Sequence, residues 1–321
     1  MLKWKKLGQI FDPFSIPTPD WMHEYGQLPF PMEVDDEMIR IYFATRPKKD
    51  SDLQYVSRSA FIDVKKKDQT KIVNVASGPI FDLGGPGTFD EFGCMTSSFI
   101  RLDNEIRAYY TGWTRMQGVP YTMAIGMASS TDGGTTFEKY SEGPILGITS
   151  QEPFLLSGPI VKIIKNSWHM WYLTGTKWLH DTSIGKFEPV YKIAHATSND
   201  GIHWTRNGKP VIPSLTEDEC QVSFALFFED ERWNAIFAHR QPLDFRSNSE
   251  NAYRLGYASS TDLLKWTRDD SQIEFDVSSD GWDSEMICYP QIGQFCGKTY
   301  LYYCGNDFGR VGFGFAEMDA N

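Results

Sequence analysis

Short apolar runs alternate with polar turns along the whole chain, and no segment sustains the 3.6-residue periodicity of an amphipathic helix. The clearest example lies near the C-terminus. There an acid-bearing turn, Trp282–Glu285, precedes the apolar run Met286–Pro290, and a polar turn at Gly297-Lys298 leads into the aromatic run Tyr300–Tyr303. The same order of turn, strand, turn and aromatic strand occurs four more times upstream. The pattern predicts an all-β protein built from five copies of one unit.

Two independent markers keep the same period of about 65 residues. The acids before the first strand of each copy are separated by 67, 61, 67 and 66 residues, and the aromatic centres of the second strands by 67, 62, 65 and 66 residues. The acids are Glu24, Glu91, Glu152, Glu219 and Glu285; the centres are Tyr42-Phe43, Tyr109-Tyr110, Trp171-Tyr172, Ile236-Phe237 and Tyr302-Tyr303.

Third and fourth strands complete each copy. Third strands such as Ala124–Ser130 and Leu255–Ser260 run into tight turns, and short segments that often begin near a proline are expected to follow as edge strands. The expected fourth strands are Gly78–Phe81, Gly143–Leu146, Lys209–Ile212 and Gln272–Phe275. The fifth copy ends without one, and Gly8–Phe11 at the N-terminus can supply it. We therefore predict a single domain over residues 1–321: a five-bladed β-propeller, four antiparallel strands per blade, with the N-terminal strand completing the last blade.

In a propeller, the innermost strands surround a central channel and the loops that lead into them meet on one face. Acids some 65 residues apart in sequence should therefore face one another, and the ends of the second strands should point to the same rim. The candidate catalytic residues are Glu24, Asp90, Glu152, Glu219 and Glu285, and the candidate substrate-binding residues are Arg46, Trp113, Trp178, His239, Arg240, Asp283 and Asn306.

A ring of carboxylates suits glycoside cleavage. That reaction needs one acid held protonated and another ionised, and crowded like charges drive their pKa values apart. The sequence thus favours a glycosidase-like enzyme that cleaves a glycosidic bond of a carbohydrate, by hydrolysis or by transglycosylation. Two alternatives stay open: a non-catalytic carbohydrate-binding propeller, and a lyase or transferase acting on an activated sugar. Any single acid can also simply cap a turn.

Composition limits the classes of partner and cofactor that the protein is expected to bind. A net charge of −11 and an acidic pI disfavour nucleic acid and anionic membranes. Five cysteines without a CxxC pair and six histidines without metal-ligand spacing predict reduced thiols, no metal site and no cofactor. The N-terminus has no signal-like apolar run and no stretch of 18 apolar residues occurs, so we expect a cytoplasmic protein. The oligomeric state stays open.

The repeat carries a family resemblance over nearly the whole chain. Its residues include Phe89–Gly93 with Tyr109–Trp113, and Gly281–Met286 with Tyr303–Asn306. In these the chain resembles the five-bladed-propeller glycoside hydrolases of families 43, 32 and 68. It is more similar still to uncharacterised glycosyl-hydrolase-like propellers encoded among bacterial polysaccharide genes.

The resemblance implies three acids on the entering strands of different blades: a base or nucleophile, a stabilising Asp and a Glu proton donor. Glu152 precedes Ser157–Lys162, a loose echo of the proton-donor strand, which implies Glu152 as donor and Asp90 as base or stabiliser. The Asp-Pro of the first family-43 blade is absent; that region reads Asp20–Glu24 here. Related propellers sometimes hold calcium, so the resemblance leaves a structural calcium ion open.

Overall fold

A computed structural model describes residues 1–319, and it confirms the five-bladed propeller. Each blade is an antiparallel sheet whose first strand lies innermost. The first two blades and the N-terminal strand comprise β1 (Leu2–Phe11), β2 (Glu24–Glu33), β3 (Met38–Arg46), β4 (Arg58–Lys65), β5 (Asp68–Val75), β6 (Gly93–Arg101), β7 (Ile106–Arg115), β8 (Tyr121–Ser130) and β9 (Glu138–Lys139). The remaining blades comprise β10 (Leu156–Ile164), β11 (Ser167–Asp181), β12 (Lys186–Ser198), β13 (Trp204–Pro210), β14 (Cys220–Glu229), β15 (Arg232–Arg240), β16 (Arg254–Ser260), β17 (Thr267–Arg268), β18 (Ile273–Glu274), β19 (Cys288–Phe295), β20 (Lys298–Cys304) and β21 (Phe313–Met318).

Helical structure in the described residues is confined to single turns. Two are 3₁₀ turns, Ser249–Asn251 and Asp270–Gln272, and one is the short α-turn Asn306–Gly309. No helix within residues 1–319 has the length and apolarity needed to cross a membrane.

The two ends of the chain close the ring, as predicted. Strand β1 pairs antiparallel with β21, with Trp4 opposite Met318 and Phe11 opposite Phe313, so that it forms the fourth strand of the fifth blade. The strand is longer than the predicted Gly8–Phe11. Its outer edge is covered in turn by β18, which runs parallel to it. The last blade therefore has an additional, fifth strand.

The fourth strands of the first four blades match the predicted segments only at Lys209-Pro210, which lie in β13. They are β5, β9, β13 and β17, which follow the hairpin turn directly, and the proline-containing segments mostly lie behind them. Leu146, for example, makes only an isolated bridge to Ile125. The proline-containing segments still bond to the third strand just after the proline, since the N–H groups of Ile80, Leu146 and Val211 donate to third-strand carbonyls. The Gln272–Phe275 segment does contain a strand, β18, but it pairs with β1 in the neighbouring blade.

The second-strand aromatic pairs pack the blades against each other. Successive side chains of a strand point to opposite faces, so each pair reaches both neighbouring blades. Tyr42 stacks on Phe99 of the next blade with ring centroids 3.8 Å apart, and Trp171 stacks on Phe224 at 5.1 Å. These side chains are fully buried. The inter-blade layers thus account for the aromatic repeat seen in the sequence.

Candidate functional site

The propeller encloses a central cavity of about 570 Å³ to which all five blades contribute. It opens where the second strands end. Aromatic rings dominate its wall, and hydrogen-bonding groups stand between them. The lining residues are Tyr25, Gln27, Arg46, Gln54, Tyr55, Trp113, Arg115, Pro120, Tyr121, Ile184, Lys186, Phe187, Glu188, Tyr191, Arg240, Phe245, Arg246, Tyr253, Tyr289 and Phe308.

Irregularities in the innermost strands turn side chains into this cavity. Strands β2 and β19 both shift register near their start, and Tyr25 and Tyr289 take positive φ angles of 72° and 54° there. Such angles are rare for bulky residues and concentrate at functional sites. A bulge re-aims the side chain that follows it, and here both rings line the cavity.

Trp113 owes its position to a glycine. Gly93 lies directly opposite it in the β6–β7 ladder, and a Cβ at Gly93 would lie 1.6 Å from the indole Nε1. The indole therefore lies across the glycine backbone with one part facing the cavity. The indole thus presents a flat apolar surface to the cavity.

Charge in the cavity is opposite in sign to that of the protein. Five of the lining residues carry a positive charge and only one, Glu188, carries a carboxylate. Glu188 is buried, and the Nε of Arg246 donates to it at 3.0 Å. Arg115 pairs with Asp50 at the outer edge of the wall. The local excess of cations favours an anionic or strongly polar ligand.

A pair of tyrosines stands beside Arg240. The hydroxyls of Tyr191 and Tyr253 hydrogen-bond to each other, and Nη2 of Arg240 donates to the Tyr191 hydroxyl at 3.1 Å. Burial raises the pKa of both tyrosines above its ordinary value, so they are neutral hydroxyls at physiological pH. The cavity thus presents hydroxyl donors and acceptors next to a fixed cation.

The cavity has an apolar floor. A smaller space of about 80 Å³ continues inward, bounded by side chains such as Leu28, Met95 and Val222. It shares Tyr121, Tyr191 and Tyr289 with the main cavity. Burial raises the pKa of Tyr121 to about 12, so this hydroxyl is also neutral.

The predicted catalytic acids lie outside the cavity lining, and three of them, Asp90, Glu152 and Glu219, form ion pairs within their own blades. Asp90 pairs with Lys139 at 2.6 Å and accepts from the Tyr110 hydroxyl at 3.0 Å. Glu152 pairs with Arg206 at 3.0 Å and accepts from Tyr172 at 2.8 Å. Both carboxylates are at least 98% buried, and neither lines the cavity.

The fourth and fifth blades repeat this arrangement with substitutions. Glu219 accepts from Arg268 at 2.7 Å, and His239 lies 3.7 Å away in the position that tyrosine holds elsewhere. Burial and the nearby Arg268 charge lower the pKa of His239. In the fifth blade the equivalent acid is Asp283, which binds Lys6 at 2.7 Å and the Tyr303 hydroxyl at 3.0 Å.

The remaining predicted residues are also placed by local contacts. Glu24 pairs with Arg310 at 2.7 Å, and Glu285 is exposed. Asn306 accepts from the Glu285 backbone N–H at 2.8 Å and holds that turn. Trp178 meets Tyr121 edge-on at 5.6 Å, outside the lining set.

Of the twelve predicted site residues, the structure brings Arg46, Trp113 and Arg240 together in the cavity. All three come from the ends of second strands, which occupy equivalent positions in the sequence repeat. Sequence reasoning missed Glu188, Arg246 and the tyrosines. No repeat of the sequence marks any of these residues.

In the described part of the chain, no group of three or more His, Cys, Asp or Glu side chains is arranged to hold a metal ion. All five cysteines are free thiols, and four of them are buried.

Comparison with known proteins gives relatives in sequence and neighbours in structure. No protein-family model matches the chain. It is 31% identical over 319 residues to the uncharacterised protein Rv1502 of Mycobacterium tuberculosis, a match that covers 99% of this chain and 100% of the relative. The uncharacterised protein MT1551 from a second strain of that organism matches equally.

Solved structures with the same fold include glycoside hydrolases. One glycoside hydrolase superposes with a TM-score of 0.76 at 15% identity, over 99% of this chain and 92% of the other. A thermostable family-43 glycoside hydrolase gives 0.63 at 11% identity, over 92% and 88%. A family-32 β-fructofuranosidase of Bombyx mori gives 0.60 at 15% identity, over 94% of this chain and 62% of that longer one. The predicted likeness to the propellers of families 43 and 32 is confirmed at the level of fold.

Proposed function

This chain belongs to the same protein family as Rv1502 of Mycobacterium tuberculosis, and on that premise we propose that it is a glycosidase-like propeller that binds a carbohydrate in its central cavity. The observation that carries the proposal is the wall of the cavity. Aromatic faces such as Trp113 and Tyr25 alternate with hydrogen-bonding groups around a volume of about 570 Å³. Sugars present apolar C–H faces and polar hydroxyl edges, which this alternation matches.

Binding is tested by calorimetric titration of the wild type with neutral and acidic oligosaccharides of several sugar types. Trp113→Ala should weaken binding about tenfold, because it removes a stacking surface worth about 1 kcal/mol. Trp233→Ala is the matched control, since Trp233 packs against Phe228 away from the cavity. If no saccharide binds the wild type, the proposal fails.

Cleavage of a glycosidic bond is the second candidate, and the fold shared with glycoside hydrolases favours it. The two-carboxylate mechanism needs a general acid and a base or nucleophile beside the scissile bond. Glu188 is the one carboxylate on the cavity wall. Asp90, Glu152, Glu219, Glu285 and Glu24 stay candidates for the second, and the ion pairs of the first three favour a structural role for them.

Turnover is tested separately from binding, by analysing products from each saccharide that binds. Glu188→Gln should abolish cleavage and leave affinity within about threefold, because the amide keeps the shape but not the charge or the proton. A wild type that binds a saccharide and cleaves none would exclude the hydrolase and leave the binding protein. Unchanged turnover in Glu188→Gln would exclude this acid.

A further inference from the structure

Arg240 is a buried cation without a counter-ion. Its residue is 4% exposed, and no carboxylate among residues 1–319 lies within 4 Å of its guanidinium nitrogens. Nη1 donates to the carbonyls of Gln241 at 2.8 Å and Pro242 at 3.1 Å, Nη2 donates to Tyr191, and the buried Nε has no partner in the described structure. Burying an unpaired charge costs several kcal/mol, so an arrangement that keeps one needs a reason.

Neighbouring groups hold this guanidinium in place. It lies 3.6 Å from the ring centroid of Phe245 and faces Tyr191 and Tyr253 at 5.3 and 5.6 Å. Carbonyl oxygens and aromatic faces stabilise a cation partly without neutralising it. The guanidinium is therefore fixed before any ligand arrives, and its full charge remains available to one.

Arg46 repeats these features on the first blade. Its guanidinium lies 4.2 Å from the Tyr25 ring centroid and 4.8 Å from that of Tyr55. Nη2 donates to Gln27 at 3.3 Å, and the buried Nε has no partner within the described residues. None of the acidic side chains at positions 1–319 pairs with it within 4 Å. Two unpaired arginines thus line one cavity.

Two arginines without carboxylate partners are not expected from the composition of the chain. The chain carries 42 acidic residues against 31 lysines and arginines, so a cation meets a carboxylate easily. Arg40, Arg206 and Arg268 all do so at 3.0 Å or less. In the cavity lining, by contrast, five cations accompany one carboxylate, that of Glu188.

We propose that the carbohydrate bound in this cavity carries an anionic group, a uronate carboxylate or a phosphate ester, and that Arg240 and Arg46 bind it. This inference rests on the proposed function. The planar fork of a guanidinium matches either oxyanion with two parallel hydrogen bonds. The Tyr191 and Tyr253 hydroxyls beside Arg240 can then bind the sugar hydroxyls next to the anionic group.

A built anion site also rejects neutral sugars. A neutral analogue would leave the buried Arg240 charge unpaired, whereas an acidic sugar would supply its counter-ion. Sites that depend on a buried polar partner discriminate by factors of about 100 or more. The acidic and the neutral sugar of equal length should therefore differ strongly in affinity.

The experiment titrates the wild type with trigalacturonate against galactotriose, and with glucose 6-phosphate against glucose. At least one acidic probe should bind about 100-fold tighter than its neutral partner. Its affinity should fall with added salt, whereas the affinity of the neutral sugar should not. The carboxylate and phosphate pairs show which anion is preferred.

Arg240→Gln should remove the preference for the acidic probe, and Arg46→Gln should reduce it about tenfold. Arg232→Gln, an exposed position at the other end of the same strand, is the matched control and should change nothing. Arg240→Lys should keep part of the preference, and thermal unfolding of each variant shows whether it folds. Arg46, which is half-buried, provides the test if Arg240→Gln does not fold.

Two different results would overturn the anion site and the proposed function respectively. If galactotriose and glucose each bind as tightly as their acidic partners and the arginine variants keep those affinities, the anion site is wrong while the carbohydrate function stands. If no saccharide of any kind binds the wild type, the proposed function itself fails and the inference with it.

Discussion

At the scale of single residues, one unit of three side chains recurs in four blades. An acid before the innermost strand lies beside a cation on the fourth strand and a ring on the second, which is a tyrosine in three of these blades and His239 in the fourth blade. The acid and the hydroxyl are 20 residues apart in Asp90–Tyr110, Glu152–Tyr172 and Asp283–Tyr303. The neighbouring carboxylate and burial both raise the pKa of these tyrosines, burial more strongly. The unit joins three strands of a blade at its entrance.

Replacing one of these acids tests whether the unit is structural. Glu152→Gln leaves Arg206, whose side chain is 11% exposed, without its carboxylate. Breaking a buried pair in this way should lower the free energy of unfolding by about 3 kcal/mol. Urea denaturation measures it, with the exposed Glu231→Gln as control. Lost turnover at full stability would instead support Glu152 as the proton donor that the family resemblance implies.

A stacked histidine pair on the third blade makes stability depend on pH. Nδ1 of His169 and Nε2 of His195 are 3.0 Å apart, beside the Trp171 ring. Burial and the neighbouring His169 lower the pKa of His195 to about 4, and burial lowers that of His169. Between that pKa and the ordinary value near 6.5, the unfolded chain binds more protons than the folded one. Stability is therefore retained above the ordinary value and is lost as pH falls toward 4.

The expected loss for His195 is about 2 kcal/mol between pH ~7 and ~5. Urea denaturation at the two pH values measures it in the wild type and in His195→Gln, which lacks the titrating ring. The variant should show a smaller difference between the two pH values. An equal difference in both proteins would assign the pH dependence to other groups.

At the scale of elements, β1 decides whether the ring closes. Its residue Phe11 is fully buried, with its ring centroid 4.6 Å from that of Phe43 in the first blade and 5.5 Å from that of Phe313 in the fifth. The strand pairs through its backbone with β21 of the fifth blade, and the Phe11 ring packs on both the first and the fifth blades. Without it, β21 would present an unpaired edge.

Phe11→Ala should cost about 4 kcal/mol of unfolding free energy, because it leaves a cavity between two blades. The control is Phe14→Ala, three residues away at a position that is 54% exposed, which should cost little. Denaturant unfolding of both variants gives the comparison. Equal small losses would mean that the closing strand contributes little to stability.

At the scale of the whole molecule, a closed ring has no terminal blade that can fray independently. Each blade packs on two neighbours, in contrast to an open repeat array, whose ends unfold first. We therefore predict one cooperative thermal transition for the entire chain, as a single domain requires. Calorimetry tests this by comparing the calorimetric and van't Hoff enthalpies, which should agree. Two resolved transitions would show that the ring contains independent units.

Much of this architecture could be predicted from the sequence because it repeats. Five copies of an aromatic strand and an acid-bearing turn located the second strands and the closing strand β1. The fourth strands of the second and fourth blades were misplaced because β9 and β17 are only two residues long, too short for any alternation to show. The same repeat put Glu285 in register where Asp283 makes the ion pair.

The sequence by itself therefore determined the fold, since a repeated hydrophobic pattern fixes which strands pair and how many blades close. It also located Arg46, Trp113 and Arg240, which lie at equivalent strand ends. Only the tertiary structure decided which way the acids point: toward cations on their own outer strands, not toward the channel. It alone showed that Arg46 and Arg240, 194 residues apart, line one cavity without an acidic side chain of residues 1–319 within 4 Å of either guanidinium. The direction of each acidic side chain and the distances between residues of different blades depend on packing between blades. No local sequence pattern contains that information.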